Sequence, residues 1–356
     1  MPTPVASAGF LRHRPVIRWG IIGCGDVTEV KSGPAFQKAD GSQLVAVMRR
    51  DSAKAADYAR RHGVPRSYAD ARQLVADPEV DAVYIATPPD AHLDCALLAA
   101  AAGKPAYVEK PMARHTPECD RMIAAFAAAG IPLFVAYYRR ALPRFTLVKD
   151  LLDRSEIGTV TAVNYAQAEP FHRKDAGWRI AAAIAGGGHF LDVGSHTLDL
   201  MDYLFGPLHD VTGAATNRAS PYLLEDTVAM SFRTAGGIVG VATWNFASAV
   251  RRDTLRIEGT NGFIEFSVLE NAPVRLENAA GVQSIVRDHP PHVQQPLVQS
   301  VVDDLRGRGV CPSTAESARR TTVVMDTVLQ GYYGGRADAF WTREASWPGR
   351  RREGNA

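Results

Sequence analysis

Hydrophobic residues in the first third of the chain form short runs that recur at regular intervals. The first run, Val16 to Ile22, is rich in β-branched residues and has the pattern of a strand buried on both faces. The segments between the runs have helical spacing, and Gly63 stands where one of these helices should end. Further strand-like runs lie at 44–48, 82–86, 106–108 and 133–136. Strands alternating with helices in this way predict a doubly wound parallel sheet.

The pattern changes after residue 140, where strands begin to follow one another without helices between them. Thr260-Asn261-Gly262 lies between two such strands and predicts a hairpin turn. This half of the chain therefore predicts an α/β domain with an open, largely antiparallel sheet. The predicted elements are a helix at 143–154, a strand at 159–168, a helix at 190–205, strands at 210–216, 226–233 and 238–246, and helices at 296–306 and 314–333.

A length of 356 residues is too great for one ordinary hydrophobic core, so we expect two domains. We place the doubly wound domain at 16–137, after a flexible N-terminal segment at 1–15. The second α/β domain is placed at 138–345, and its final helices are expected to pack back on the first domain.

Composition restricts the partners and the location of the protein. A net charge of +2 gives no general attraction to nucleic acid or to a membrane surface. The longest apolar stretch is far shorter than the roughly 20 residues of a membrane span, and the N-terminus has no apolar core typical of a signal peptide. The four cysteines are widely spaced and match no metal-binding pattern. We therefore expect a cytoplasmic protein that binds a small molecule and no metal.

A glycine-rich turn follows the first predicted strand. Glycine at Gly23 and Gly25 lets the backbone turn tightly and approach a pyrophosphate, which the N–H groups of the next helix, beginning near Asp26 and Val27, can bind. The third glycine of the usual pattern is replaced by Thr28. Glycine pairs also occur in ordinary strand-to-helix turns, but the surrounding strand–helix–strand pattern favours a dinucleotide-binding site.

The residues after the second strand bear on which dinucleotide is bound. An acidic residue at this position commonly accepts hydrogen bonds from the adenosine ribose of NAD. Here the sequence has Arg49 and Arg50, and a guanidinium suits the 2′-phosphate of NADP. The alternative is that both arginines are solvated and that Asp51 takes the role of the acid. We predict NADP, with NAD as the alternative.

A lysine follows the strand at 106–108, in the segment Glu109-Lys110-Pro111. Ligands of open α/β sheets bind at the edge where the strands end, and a lysine there can donate a hydrogen bond to a substrate oxygen. The alternative is a surface lysine paired with Glu109. We predict a functional role for Lys110 and place Glu109 among the cofactor-binding candidates.

The segment from Gly186 to Asp199 combines three glycines with acids and histidines. In a regular helix Asp192 and His196, four residues apart, lie on one face. Histidine is the natural proton acceptor near neutral pH, and a nearby carboxylate can orient it. The alternative is an ordinary acid in a first helical turn and a core histidine. The glycines ahead of them, which permit close approach of a ligand, favour function.

Other side chains at the ends of predicted strands and in loops are candidates with weaker support. Those after the fourth predicted parallel strand could line the nicotinamide ribose, and an aromatic–arginine pair in the loop before the glycines would suit a hydroxylated substrate. One tyrosine lies where the chain leaves the first domain. These candidates are Thr87, Pro88 and His92 for the cofactor, and Tyr138, Trp178 and Arg179 for the substrate.

Taken in order, GIIGCGDV, ATPPDAH, the Glu-Lys-Pro at 109–111, the Trp-Arg at 178–179 and GGGHFLDVGSHTLD resemble the glucose–fructose oxidoreductase, inositol dehydrogenase and rhizopine-catabolism (Gfo/Idh/MocA) superfamily. The resemblance extends from Ile17 to about Tyr333. It implies an N-terminal Rossmann domain and a C-terminal α/β domain whose open sheet serves for assembly into a homodimer or homotetramer. Thr28 and Arg49 depart from the usual family pattern, and Arg49 puts NAD in doubt.

The resemblance also implies an activity, which is NAD(P)-dependent oxidation or reduction of a sugar, an inositol or a related diol. It implies that Lys110 and His196 form the polar catalytic pair, with Asp192 beside them. Two alternatives on the same fold are a glycoside hydrolase that uses bound NAD in a transient redox step and a cofactor-binding sensor without catalysis.

Overall fold

The structure is a computed structural model that describes residues 9–170 and 177–350. It contains two compact units. The first comprises the described residues up to Ala113 together with Pro117–Leu142 and Pro290–Arg319. The second comprises Arg114–Thr116, Pro143–His289 and the described residues from Arg320 onward.

Strands and helices alternate in the first part of the chain, and strands predominate in the middle. The strands are β1 (Ile17–Ile22), β2 (Ser42–Met48), β3 (Arg66–Tyr68), β4 (Ala82–Ile85), β5 (Ala106–Val108), β6 (Leu133–Val135), β7 (Val160–Ala168), β8 (Leu208–Thr216), β9 (Thr227–Thr234), β10 (Val239–Asn245), β11 (Arg252–Gly259), β12 (Gly262–Phe266), β13 (Val274–Asn278) and β14 (Gly281–Ile285). The α-helices are α1 (Asp26–Val30), α2 (Gly33–Lys38), α3 (Ser52–His62), α4 (Ala71–Ala76), α5 (His92–Ala101), α6 (Thr116–Ala129), α7 (Pro143–Asp153), α8 (Ala182–Ala185), α9 (Ser195–Phe205), α10 (Gln295–Arg306) and α11 (Ala315–Tyr333).

The first unit is built on a six-stranded sheet in the order β3-β2-β1-β4-β5-β6. All neighbouring strands in it are parallel, which confirms the predicted doubly wound sheet. The order reverses between β1 and β4, and ligands of such sheets bind outside the carboxyl ends of the strands at this point. The predicted end of α3 is also confirmed, because Gly63 follows it with φ of +64°, and Asp51, which was not predicted as a cap, caps its first turn.

Side chains cover both faces of this sheet, as the continuous apolar runs require. On one face Trp19 and Tyr84 pack with Phe36 of α2 and with Leu297 of α10. Leu11 belongs to the same core, and its N–H donates to the Leu305 carbonyl oxygen at 2.7 Å. The segment at 1–15 was expected to be flexible. Its described part instead packs against α10 through the apolar side chain of Leu11.

The second unit contains an eight-stranded sheet in the order β14-β13-β12-β11-β7-β10-β9-β8. Only the β7–β10 pair is parallel among these neighbours, so the predicted open and largely antiparallel sheet is confirmed. Along β9, buried Val228, Met230 and Phe232 alternate with exposed residues. One face of this strand is therefore covered and the other is open.

Two features of the second unit differ from the sequence prediction. The helix predicted at 190–205 begins with a π-helical turn, Phe190–Gly194, and becomes α-helical only from Ser195. Gly194 allows the turn to close, because a Cβ at this position would lie 2.4 Å from the Phe190 ring. The hairpin β13–β14 was not predicted, and β14 is a mostly exposed edge strand without an apolar face.

Candidate active site

The glycine-rich turn between β1 and α1 is fixed to the neighbouring strands. The N–H groups of Gly23 and Cys24 both donate to the Met48 carbonyl oxygen, at 2.8 and 3.1 Å. Gly23 has φ of +93°, and a Cβ there would lie 3.0 Å from the backbone nitrogen of Thr87. At Gly25 the nearest atom to an added Cβ is 3.9 Å away, so this side of the turn is open. Such a turn lets a ligand approach the backbone closely.

The helix that was expected to begin near Asp26 and Val27 is short, and a second helix follows it, so the segment is divided into α1 and α2. Asp26 is exposed and Val27 half-buried in the first turn of α1. Thr28 is fully buried, and its hydroxyl donates to the Gly25 carbonyl oxygen at 2.7 Å. The residue that replaces the third glycine thus braces the turn itself.

Arg49 and Arg50 follow β2 directly. The Arg49 guanidinium donates to the Cys24 carbonyl oxygen at 3.3 Å, which places it beside the glycine turn, whereas Arg50 is exposed. Asp51 accepts a hydrogen bond from the backbone N–H of Lys54 at 3.1 Å, and this contact lowers the pKa of Asp51. The Asp51 carboxylate is therefore engaged at the start of α3.

His92 joins two loops at the carboxyl edge of the sheet. Its Nε2 lies 2.8 Å from the Thr87 carbonyl oxygen, and its Nδ1 lies 3.1 and 3.2 Å from the carbonyl oxygens of Pro111 and Met112. The ring is fully buried, and this burial lowers the pKa of His92. Thr87 and Pro88 remain half-buried beside it. The contact of His92 with a cofactor remains a prediction, since both ring nitrogens face loop carbonyls.

The Glu109-Lys110-Pro111 segment follows β5 at the same edge. Glu109 is buried, and its Oε1 accepts hydrogen bonds from the Tyr84 hydroxyl at 2.5 Å and from the Gln294 amide at 2.6 Å. Its Oε2 accepts a hydrogen bond from the backbone N–H of Lys110 at 3.1 Å. Lys110 is half-buried. The Glu109 carboxylate is thus bound by protein groups, and its role at a cofactor remains a prediction.

Three candidates come together in the second unit. The Arg179 Nε pairs with the Asp192 carboxylate at 2.8 Å, and the Arg179 guanidinium lies over the Trp178 ring, 4.5 Å from its centroid. The Asp192 side chain is 24% exposed and that of Arg179 is 42% exposed, so both remain accessible to a ligand. His196 is buried in the first turn of α9. Since a π turn intervenes, the spacing argument that placed Asp192 and His196 on one face of a regular helix does not apply.

A buried carboxylate that the sequence prediction missed supports the glycine segment. Glu225 accepts hydrogen bonds from the Gly188 N–H at 3.0 Å and from the Tyr333 hydroxyl. Burial raises the pKa of Glu225. The Arg336 guanidinium donates to the carbonyl oxygen of Gly186 at 2.6 Å in the same region. The only sequence signal was an acidic pair at 225–226 immediately before a strand.

Lys110 belongs to the first unit and His196 to the second, so their pairing remains a prediction. Tyr138 lies in the first unit, where the Arg139 guanidinium is 5.1 Å from its ring centroid.

In the two described ranges there is no group of three or more histidine, cysteine and acidic side chains that could hold a metal ion. None of the helices in these ranges is both long and apolar enough to cross a bilayer.

The strand order of the first unit, with a glycine turn after β1, defines a dinucleotide-binding Rossmann protein. A family model described as an oxidoreductase family with an NAD-binding Rossmann fold matches residues 17–137. A second, described as the GFO/IDH/MocA C-terminal domain, matches residues 145–265. The chain therefore belongs to the Gfo/Idh/MocA family of oxidoreductases, which confirms the resemblance drawn from its motifs.

Individual relatives extend over most of the chain. An oxidoreductase of Formosa agariphila is 36% identical over 315 residues, which cover 87% of this chain and 97% of the relative. The 1,5-anhydro-D-fructose reductase of Ensifer adhaerens is 27% identical over 305 residues, which cover 84% of this chain and 91% of the relative. A solved structure of levoglucosan dehydrogenase with NADH and levoglucosan has a TM-score of 0.79 at 22% identity, covering 92% of this chain and 98% of its own. At that identity the last comparison shows the fold alone.

Proposed function

We propose that this protein is an NAD(P)-dependent dehydrogenase or reductase that transfers a hydride between a nicotinamide and a carbinol carbon of a sugar, an inositol or a related diol. The observation that carries the proposal is a continuous row of loops along the carboxyl edge of the first sheet. Gly23 packs against Thr87, and His92 joins Thr87 to the residues that follow Lys110. One extended cofactor along this edge would reach from the glycine turn to the lysine.

The residues at this edge fit a dinucleotide. The open side of Gly25 leaves room for a pyrophosphate to approach the backbone, and the half-buried Thr87 and Pro88 flank the same turn. Arg49 lies at the end of the turn where the adenosine would bind. When bound, the nicotinamide accepts a hydride from the substrate carbon or returns one to it.

NADP is the proposed cofactor because the Arg49 guanidinium is beside the turn while the Asp51 carboxylate caps α3. A charge-assisted contact between a guanidinium and the 2′-phosphate contributes about 1.5–3 kcal/mol, so Arg49→Ala should weaken NADPH binding by about 10- to 150-fold. NADH binding should change little. Arg60→Ala, on the exposed surface of α3, is the matched control. Equal loss for both cofactors, or none, would contradict the NADP preference.

In the proposed reaction Lys110 donates a hydrogen bond to the substrate oxygen and stabilises the alkoxide that develops during oxidation. His196 takes the hydroxyl proton in oxidation and returns it in reduction. Asp192 holds a second substrate hydroxyl or orients the His196 imidazole. These roles come from the family resemblance and from the chemistry of the side chains.

The substrate class is supported by the side chains around Asp192. A carboxylate accepts hydrogen bonds from hydroxyls, and a guanidinium donates them. The Trp178 ring beside Arg179 offers an aromatic face to a sugar ring or a cyclic diol. The relative named for 1,5-anhydro-D-fructose agrees with this chemistry, because that compound is a polyhydroxylated ring.

The proposal includes assembly into a homodimer or homotetramer through the open face of the second sheet. Val239 and Val241 on β10 are 52% and 51% exposed, and contiguous apolar groups on an open sheet are typical of an interface. A monomer in light scattering at micromolar concentration would contradict this part. We keep the cytoplasm as the proposed location because all four cysteines are buried thiols.

The test is a panel of sugars, inositols, anhydro sugars and cyclic diols, assayed by the absorbance of the reduced nicotinamide with NADP and NAD. His196→Ala should lower turnover by about 10²–10⁴-fold and leave NADPH affinity nearly unchanged. Turnover that survives this substitution would remove His196 from the mechanism. Glycoside cleavage without net change in absorbance would favour the hydrolase alternative, and no turnover of any compound would favour a sensor.

A further inference from the structure

The Glu109 carboxylate, one residue before Lys110, is held in the interior of the first unit. It is 8% exposed and accepts hydrogen bonds from three donors. Tyr84 and Gln294 donate to Oε1, and the Lys110 backbone N–H donates to Oε2. Because a buried carboxylate needs donors on both oxygens, its orientation, and with it the position of the Lys110 backbone, is set by these groups.

Gln294 is the donor that comes from farthest along the chain, 185 residues from Glu109. It is 1% exposed, and its Oε1 accepts a hydrogen bond from the Tyr107 hydroxyl at 2.9 Å. With its oxygen bound to Tyr107, its NH2 group must face Glu109, so the amide has one orientation only. Tyr107 fixes Gln294, and Gln294 in turn fixes Glu109.

The chain after Lys110 is anchored as well. The His92 Nδ1 lies 3.1 Å from the Pro111 carbonyl oxygen and 3.2 Å from that of Met112. Lys110 therefore lies between two buried polar contacts, one on each side of it along the chain. Functional side chains are held within about 0.5 Å of their working geometry by contacts of this kind.

We infer that Gln294 is a positioning residue that holds Lys110 in place through the Glu109 carboxylate. The inference rests on the proposed function insofar as Lys110 is taken to bind the substrate oxygen. It assigns no direct contact between Gln294 and the substrate or the cofactor.

Gln294→Met keeps the length of the side chain and removes both of its hydrogen bonds. The Glu109 carboxylate then loses one donor and can turn, and the Lys110 backbone moves with it. A displacement of about 1 Å at a catalytic group can lower the rate by about 100-fold, so kcat should fall by about 10- to 100-fold.

The matched control is Gln299→Met in α10, the helix that begins directly after Gln294. Gln299 also uses both ends of its amide, since it accepts from the Asp40 N–H at 2.7 Å and donates to Asp303 at 3.2 Å. Gln299 also donates to the Asp40 carbonyl oxygen at 3.3 Å, and the loss of these contacts should affect stability without affecting Lys110. The comparison separates a general structural effect from positioning.

A second readout does not depend on turnover. Trace acetylation with acetic anhydride, followed by mass spectrometry, measures the reactivity of Lys110 relative to the exposed Lys54 in the full chain saturated with NADPH. In Gln294→Met the relative rate should change by about threefold or more, because a displaced Lys110 has a different exposure and different neighbours. Tyr84→Phe removes the other donor to Oε1 and should give the same change, which keeps the test usable if Gln294→Met does not fold.

The inference is overturned if Lys110 reactivity in Gln294→Met, or in Tyr84→Phe where the former does not fold, matches that of Gln299→Met. It is supported if reactivity and kcat change together in the network variants and neither changes in the control. If the unmodified protein turns over no substrate while Lys110 reactivity still responds to Gln294→Met, the positioning stands and the proposed function fails. If the unmodified protein turns over a substrate but Lys110 reactivity does not respond to Gln294→Met, the proposed function stands and the positioning role of Gln294 fails.

Discussion

Removal of the Tyr333 hydroxyl tests how the buried Glu225 carboxylate is stabilised. The hydroxyl donates to Glu225, whose other donor is the N–H of Gly188 in the glycine segment before α9. Glu225 and Tyr333 are both fully buried, so water cannot replace the lost donor without a change in packing. Tyr333→Phe keeps the ring and removes this single contact.

The size of the effect follows from the charge of the acceptor. A hydrogen bond to a charged group contributes about 1.5–3 kcal/mol, and one between neutral groups about 0.5–1.5 kcal/mol. The neighbouring Tyr332 is the matched control, because its buried hydroxyl donates to the Leu223 carbonyl oxygen at 2.6 Å. Tyr333→Phe should therefore lower the free energy of unfolding by about twice as much as Tyr332→Phe.

The pH dependence gives the sharper comparison. Burial raises the pKa of Glu225, so its carboxyl contributes most to stability below the unfolded pKa of about 4.3 and loses this contribution as the pH rises through the folded pKa. The Tyr333 hydroxyl stabilises the ionised form, and its removal raises that pKa further. The difference in unfolding free energy between wild type and Tyr333→Phe should widen with increasing pH.

The assay is urea unfolding at several pH values, followed by tryptophan fluorescence, which reports on this unit through the buried Trp244 and Trp347. The Tyr332→Phe difference should stay constant with pH, since a carbonyl acceptor does not titrate. Equal and pH-independent differences for the two variants would refute the account of Glu225 as a carboxylate held by the Tyr333 hydroxyl.

Three further predictions concern the glycine turn, an ion-pair cluster and the substrate side. Gly25→Val should fold, since the nearest atom to an added Cβ is 3.9 Å away. Calorimetry should nevertheless show an NADPH affinity lower by about tenfold or more. An unchanged affinity would contradict cofactor binding at this turn. The hydrogen bond from Arg61 holds the pKa of Glu29 at about 2. The urea midpoints of wild type and Glu29→Gln should therefore converge as the pH falls from about 4.5 towards 2. A constant gap between the two midpoints would refute this. Arg179→Ala breaks a partly exposed pair with Asp192 worth about 0–1 kcal/mol, so stability should barely change while substrate KM rises; an unaltered KM in initial-rate measurements would exclude Arg179 from substrate binding.

The parallel sheet could be predicted from the sequence because its strands other than β3 are largely buried on both faces. β4 and β5 appear as uninterrupted apolar runs, and the predicted range 106–108 coincides with β5. β3, a three-residue edge strand with polar residues, has no such pattern and was missed. The exposed β14 was missed for the same reason, whereas β13 was missed although its buried Val274 and Leu276 alternate with polar residues.

The residues that support the site could not be found from local patterns. Gln294 and Glu225 belong to none of the motifs recognised in the sequence, and their partners lie 185 and 108 positions away along the chain. Only the folded chain brings these groups into hydrogen-bonding distance. By contrast Trp178, Arg179 and Asp192 are close in sequence, and their motif pointed to one site before the contacts were known.

At Thr28 the sequence departs from the usual dinucleotide-binding motif, and the structure shows how the turn accommodates the side chain. The third glycine of a dinucleotide-binding turn normally permits close packing beside the first helix. Here a Cβ at Gly33 would lie 2.1 Å from the Thr28 carbonyl oxygen and 2.3 Å from the Tyr58 hydroxyl, which itself donates to that oxygen at 2.8 Å. A close approach is present at Gly33, where the chain passes from α1 to α2, and it brings Tyr58 of α3 against the Thr28 backbone. The Thr28 side chain is buried beside this contact, and its hydroxyl braces Gly25, so the turn is held by a hydrogen bond at the position where the usual motif has a glycine.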